Sequence, residues 1–226
     1  MKKLKSIKRP KSQESKRFLA EQIIKLLKKY YPVTQCALHH KSVFELLVAT
    51  ILSAQCTDER VNSVTPALFK KFPGPKAFAL APVEEIEEAI RSTGFYKNKA
   101  KNIKACAQSL VEKYHGEVPK SLEELTELSG VGRKTANVVL GVGFKIPSGI
   151  VVDTHVTRLS NRFGLVKSEN AVVIERELGP LIDRSEWIEY SHRLIDHGRK
   201  ICKARSPRCE ICFLADICPS STMGLA

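Results

Sequence analysis

Strict alternation of apolar and polar residues is scarce along these 226 residues, which leaves little material for half-buried strands. No apolar stretch approaches the roughly 18 residues of a membrane span. No uninterrupted apolar region follows the lysine-rich start, as a secretory signal requires. Aromatic residues make up only 7%, too few for an extended platform that stacks many bases. The seven cysteines are not spread as in a small secreted disulfide scaffold, because four of them fall between Cys202 and Cys218. Apolar residues at 43% and charged residues at 27% are ordinary globular usage and exclude disordered or collagen-like chains. The expectation is a chain of one or two domains that has no membrane partner and works in the cytoplasm.

What is present is positive charge. Lys and Arg number 37 against 24 Asp and Glu, a formal net charge of +13. Such an excess favours a polyanionic partner, most often nucleic acid, over a merely soluble surface. Residues 1–16 are nearly all polar and basic, and read as a mobile tail.

From Phe18 onward the pattern is helical. Leu19, Ile23, Leu26, Leu27 and Tyr30 repeat at three- and four-residue steps until Pro32 stops the run. Ser42–Gln55 is apolar on nearly every face and predicts a fully buried helix. Asp58 is placed to cap a helix running to Phe72. Further helices are expected over Val83–Ser92, Asn98–Tyr114, Ser121–Leu128, Arg133–Phe144, Thr154–Phe163, Ala171–Ile182 and Glu186–Ile201. Ser121 and Glu124 have capping-box spacing. The fold class is all-α, with roughly ten helices. A weak internal echo aligns Thr93–Ala100 with Ser129–Ala136, two helix–tight turn–helix units.

The strongest local motif is Leu128–Ala136, LSGVGRKTA. Gly130 and Gly132 permit a sharp turn and remove side chains that would keep a ligand off the backbone. The N–H groups of the turn and of the next helix's first residues lack intrahelical partners, and the helix dipole adds positive character. Such a turn can grip one DNA phosphate without reading sequence. Arg133 and Lys134 follow directly, which favours this over a plain helix–helix turn. Lys134 reads either as a phosphate contact or as an amine nucleophile that attacks the anomeric carbon of a nucleotide. Asp153 has the position of an N-cap, accepting from His155 or Val156 N–H. That role leaves chemistry open to it. His155 reads as a satisfied structural histidine.

Cys202, Cys209, Cys212 and Cys218 stand at C-x6-C-x2-C-x5-C and can converge on one centre. Spacing alone does not separate zinc from an iron–sulfur cluster. The surrounding segment has so few apolar residues that a metal clasp is expected to be coupled to its folding. Lys203, Arg205 and Arg208 would then be presented on a rigid loop as a second phosphate-contact surface.

LSGVGRKTANVVL resembles the helix–hairpin–helix of the endonuclease III family of DNA base-excision glycosylases. ILSAQCTD (Ile51–Asp58), VVDTHVTRLSNR (Val151–Arg162) and the cysteine spacing match the same family in the same order, over about residues 18–219. The resemblance implies two helical domains with a cleft between them, and a 4Fe–4S cluster held by all four cysteines. It implies that Lys134 is the Schiff-base nucleophile, because members that also cut the backbone carry Lys there, while related mismatch adenine glycosylases carry Tyr. It assigns the activation of that nucleophile and the stabilisation of charge on the sugar to Asp153, facing Lys134 across the cleft. Gln55 matches a residue inserted into the vacated base stack. Phe95 matches a second wedge position, commonly aliphatic in the family, with core packing as the alternative. Gly130, Val131, Gly132, Arg133 and Thr135 would contact DNA through the hairpin.

The expected division is a tail over 1–16, an N-terminal helix over 17–34 packing with the cluster domain, a continuous helical domain over 35–148, C-terminal helices and the cluster loop over 149–219, and a tail over 220–226. The implied function is removal of damaged, oxidised pyrimidines from duplex DNA with β-elimination 3′ to the abasic site. The chain is expected to be a monomer, nucleoid-associated if bacterial, whose partner is duplex DNA carrying a damaged base or an abasic site. A monofunctional mismatch glycosylase is the alternative enzyme, and a non-catalytic DNA-binding module the alternative class.

Overall fold

The computed structural model describes residues 8–224, and those residues form helices and turns with no strand. The chain divides into two compact units. One is continuous, Cys36–Ser148; the other joins the chain up to Gln35 to the chain from Gly149 onward.

The continuous unit opens with α2 (Val43–Leu52), α3 (Asp58–Lys71), α4 (Pro75–Leu80) and α5 (Val83–Ile90). A single 3-10 turn, Arg91–Thr93, leads into the long α6 (Tyr96–Tyr114), which is followed by α7 (Leu122–Glu127) and α8 (Arg133–Val138). Eight of the ten residues of α2 are buried, as its apolar circumference requires. Around it pack Leu68, Phe78, Ile86, Ile103, Leu110, Leu125 and Leu140. Phe78 meets the rings of Phe44 and Phe72 at 5.6 and 5.1 Å between centroids, in edge-on and tilted arrangements that aromatic quadrupoles favour.

The other unit holds α1 (Gln13–Tyr30), α9 (Thr154–Arg162), α10 (Ala171–Leu178) and α11 (Trp187–Lys200). Its core includes Ile23, Leu27, Leu159, Phe163, Leu178, Tyr190 and Leu194. Leu214, fully buried, carries the cysteine segment into that core. Tyr30 of α1 stacks on Phe213 at 4.0 Å. The N-terminal helix and the cysteine segment are thus packed together.

Several boundaries differ from the sequence pattern. Helix α1 begins inside the stretch expected to be tail. Ser12 accepts from the Ser15 N–H and the Ser15 side chain returns to the Ser12 backbone, a reciprocal cap that starts the helix within a polar stretch. Residues 1–7 and 225–226 of the expected tails lie outside the described residues. Asp58 is the first residue of α3 and not its cap; Thr57 accepts the Arg60 N–H instead. Helix α2 stops at Leu52, so Gln55 lies beyond it in a turn. The expected helix over Arg133–Phe144 changes after Val138 into a π-turn over Val139–Gly143. There a Cβ on Gly143 would come within 2.9 Å of Val43 Cγ1, so this turn packs close against α2.

Candidate active site

The hairpin is built by what glycine permits at one position and omits at another. Leu128 and Val131, both buried, anchor its two sides, and the Val131 N–H donates to the Leu128 carbonyl at 3.1 Å. Gly130 between them has φ +78°, and a Cβ there would stand 2.8 Å from Asn102 Cβ. It needs glycine both for conformation and for space. Gly132 has an extended φ of −89°, and a Cβ built on it would meet nothing. Its missing side chain therefore leaves the backbone N–H groups at the start of α8 open to a ligand. The N-cap residue Gly132 makes no side-chain cap hydrogen bond, and the first N–H groups of any helix lack intrahelical partners, which makes such a start suited to an anion.

Gly130→Ala is expected to lower the thermal midpoint by about 4–8 °C, the shift that about 2 kcal/mol of left-handed strain and displacement gives in a chain of this size. Gly132→Ala should leave the midpoint within a degree or two but weaken binding to duplex DNA. Equal stability losses at the two positions would contradict this division of labour.

Arg133, Lys134 and Thr135 follow in the first turn of α8. Arg133 and Lys134 are exposed and Thr135 half-buried, while Ala136 and Asn137 turn inward. Lys134 thus offers an exposed amine from a helix start fixed by the buried Val131 before it and Ala136 after it.

The echo seen in the sequence is real in the backbone. Gly94 has φ +70°, matching Gly130 at its +78°, and Ala100 and Ala136 are both fully buried. The two turns diverge at the next residue, where Val131 is buried and Phe95 is 65% exposed. Phe95 is therefore not a core residue. It also has a left-handed φ of +48°, and Gln55, exposed in the turn after α2, has φ +52°. Left-handed backbone at residues with a Cβ is uncommon, and such strain clusters at functional sites.

In the other unit, Asp153 caps α9. Its Oδ1 accepts from both the His155 and Val156 N–H groups at 2.8 Å, so capping does not consume Oδ2. His155 is held by its neighbours. Its Nδ1 lies 3.1 Å from Arg158 Nη2. A guanidinium only donates, so Nδ1 accepts and the proton of the neutral ring sits on Nε2. Burial pushes the His155 pKa down; Asp153 opposes this, and Arg158 and Arg199 reinforce it.

The four clustered cysteines are unbridged. Three of their sulfurs have hydrogen-bond donors. Arg162 Nη1 donates to Cys202 Sγ at 3.0 Å, and backbone N–H groups of Leu214 and Ser220 serve Cys212 and Cys218. His197 Nε2 stands 3.5 Å from Cys212 Sγ, while its Nδ1 lies 3.2 Å from the Tyr31 hydroxyl. Burial pushes the Cys212 thiol up to about 11, and the proximity of Cys202, Cys218 and Cys209 adds to the rise. Three of these sulfurs are thus furnished with donors suited to thiolates, yet burial and the neighbouring cysteines push the Cys212 and Cys218 thiols up and disfavour their ionisation without a cation nearby. That environment fits a bound iron–sulfur cluster. Among the described residues no three His, Cys, Asp or Glu side chains are grouped for a single metal ion. A 4Fe–4S cluster asks less of them, because each cysteine binds a separate iron.

Two arginines outside the sequence-based site hold the loop between the first two cysteines. Arg158 donates to the Cys202 and Gly198 carbonyls, and Arg162 to those of Lys203 and Ala204 at 2.9 and 2.7 Å. Their four-residue spacing places them on one face of α9, a signal the sequence does carry. The loop they fix exposes Lys203, Arg205 and Arg208.

Residues 48–183 match the model of the HhH-GPD superfamily of base excision DNA repair proteins. The chain belongs to this family. Residues 202–218, the span that runs from Cys202 to Cys218, match the iron–sulfur binding domain of endonuclease III, so within the family the chain carries a 4Fe–4S cluster. Endonuclease III of Synechocystis sp. is 53% identical over 207 residues, 92% of this chain and 94% of that protein. The fold is similar to that of endonuclease III in a non-covalent DNA complex, with a TM-score of 0.85 and 44% identity over 91% of this chain and 96% of that one. It is equally similar, at TM-score 0.85 and 43% identity over 96% of this chain and all of the other, to a trapped endonuclease III–DNA covalent intermediate. Like these family members, the chain is a DNA glycosylase and abasic-site lyase. No helix among its described residues is long and apolar enough to cross a membrane.

Proposed function

We infer that the chain excises damaged, oxidised pyrimidines from duplex DNA and then cuts the strand 3′ to the abasic site. The observation that carries this reading is an exposed amine, Lys134, in the first turn of a helix entered through a hairpin whose Gly132 leaves the backbone uncovered. In this reading the hairpin N–H groups hold a phosphate, with Gly130 and Val131 shaping the turn and Arg133 and Thr135 beside it. Lys203, Arg205 and Arg208 supply further phosphate contacts from the cysteine loop. Gln55 and Phe95 enter the duplex and occupy the space of the extruded nucleotide.

The chemistry follows from the groups. The unprotonated Lys134 amine forms a bond to C1′, the glycosidic bond breaks, and its electron pair leaves with the base, which takes up a proton. Asp153 accepts the amine's proton and stabilises positive charge on the sugar. Opening of the C1′–O4′ bond gives the imine, and O4′ is protonated. Loss of a C2′ proton then sends an electron pair toward C3′ and expels the 3′ phosphate. Water cleaves the imine and frees Lys134. The cluster supports the structure of the cysteine segment when bound, and no step passes through it.

The reading extends to a monomer acting in the cytoplasm on nucleoid DNA. In it, Cys36–Ser148 carries the hairpin and wedges, while the other unit carries Asp153 and the cluster. The test is a panel of duplexes, each with one lesion. Duplexes with an oxidised pyrimidine should be nicked with an unsaturated 3′ aldehyde end and a 5′ phosphate. Release of free base with the strand left intact would point instead to a monofunctional glycosylase. Binding with neither product would point to a DNA-binding module.

A further inference from the structure

Lys99 is a charged side chain that the chemistry above does not use. It lies on the inward face of α6 and is only 5% exposed. Its Nζ donates to two carbonyls at 2.8 Å, those of Leu52 and Thr93. Leu52 ends α2, and Thr93 ends the 3-10 turn before α6. Both carbonyls belong to helix ends, where main-chain acceptors run out of intrahelical donors and the helix dipole is negative. A buried ammonium needs such partners, and burial indeed pushes the Lys99 pKa down. Cys56, in the turn with Gln55, is close enough to act on it electrostatically.

The two carbonyls have one thing in common. Each is followed within three residues by an exposed side chain on left-handed backbone: Gln55 at φ +52° after Leu52, and Phe95 at φ +48° after Thr93. Left-handed backbone at such residues persists only when the surroundings over-determine it. Leu52 and Thr93 are far apart in sequence, and Lys99 is the side chain that ties them together.

We propose that Lys99 is a positioning residue that clamps the turns of Gln55 and Phe95 to each other, so that the two side chains enter duplex DNA as one preset pair. The proposal rests on the assignment of Gln55 and Phe95 to duplex opening. Setting both turns before DNA arrives removes an ordering cost that would otherwise be met during base extrusion.

The test is a double-mutant cycle on the holoprotein. Lys99→Met keeps length and removes the ammonium. It should slow base removal from a lesion-bearing duplex by about 10- to 100-fold, of the order expected when loss of positioning leaves a step misaligned. Borohydride trapping on a single-stranded abasic oligonucleotide, which has no duplex to open, should stay within about twofold of wild type. In a Gln55→Ala, Phe95→Ala background the same Lys99 change should cost almost nothing more. A full, independent loss from Lys99→Met in that background, or an equal loss on single-stranded DNA, would overturn the clamp and leave Lys99 a general stabiliser. If Gln55→Ala, Phe95→Ala alone leaves duplex excision unchanged, the duplex-opening assignment fails instead. Should the methionine variant not fold, Lys99→Gln, which retains a donor without charge, runs the same cycle, and the same outcomes support or overturn the clamp.

Discussion

Lys134→Gln is expected to abolish the borohydride-stable adduct between the protein and abasic or lesion-bearing duplex. Borohydride reduces an imine to a secondary amine, so only the chain whose amine has attacked the sugar becomes fixed to DNA. Glutamine offers no amine, and an exposed site imposes no packing cost on the exchange. The fold should therefore hold, and binding to duplex should persist, because the hairpin N–H groups and Gly130 and Gly132 are untouched. Strand cleavage should fall with the adduct, by several orders of magnitude, since the lyase step runs through the same imine. Denaturing electrophoresis of the trapped complex measures this directly. A wild-type rate of trapping in Lys134→Gln would assign the nucleophile elsewhere. Lys99 is not a convenient substitute, because its ammonium is buried and bonded to two carbonyls. The exposed Lys97 would be the first amine to replace next.

The hairpin turn, the capping place of Asp153 and the grouping of the cysteines are legible in the sequence because each depends on residue types at short spacing, whereas the chemical roles of Lys134 and Asp153 come from the family resemblance. A glycine before a helix, a carboxylate at its start and four thiols within seventeen residues leave a local signature that tertiary structure does not need to supply. Helix periods are legible for the same reason in the long, one-sided α6 and α11. Short elements are not: α4 spans six residues and buries only Phe78, too few positions to establish a period. The left-handed turns at Gln55 and Phe95 also escape the pattern. Both positions carry a Cβ, so no glycine marks their left-handed conformation in the sequence. Lys99 is hidden for a related reason. In Lys97-Asn98-Lys99-Ala100-Lys101 it looks like one of several solvated charges, and only its pairing with Leu52, 47 residues away, distinguishes it. Phe95 departs from the family's usual aliphatic choice and on pattern alone could equally be core; its exposure decides against that.

Asp153→Asn should slow base removal by about 10²–10⁴-fold, the range for losing a positioned acid–base group. The substitution isolates chemistry from structure. Asparagine is as good an N-cap as aspartate, and its side-chain oxygen can take the His155 and Val156 N–H bonds that Oδ1 now accepts. Stability should consequently change little, whereas Asp153→Ala would sacrifice the cap and about 1 kcal/mol with it. What asparagine cannot do is accept the proton of the Lys134 ammonium or hold a negative charge against the developing positive sugar. The two stages of the reaction should feel this unequally. Excision needs a base displaced from a sugar that is becoming cationic, so it should carry the full loss. A preformed abasic site presents an aldehyde with no base to displace, and trapping there should fall much less. Single-turnover rates on matched duplexes, one with an oxidised pyrimidine and one with an abasic site, give the ratio. Equal losses on both substrates would confine Asp153 to activating the amine, and base removal at the wild-type rate would return it to the cap of α9 alone.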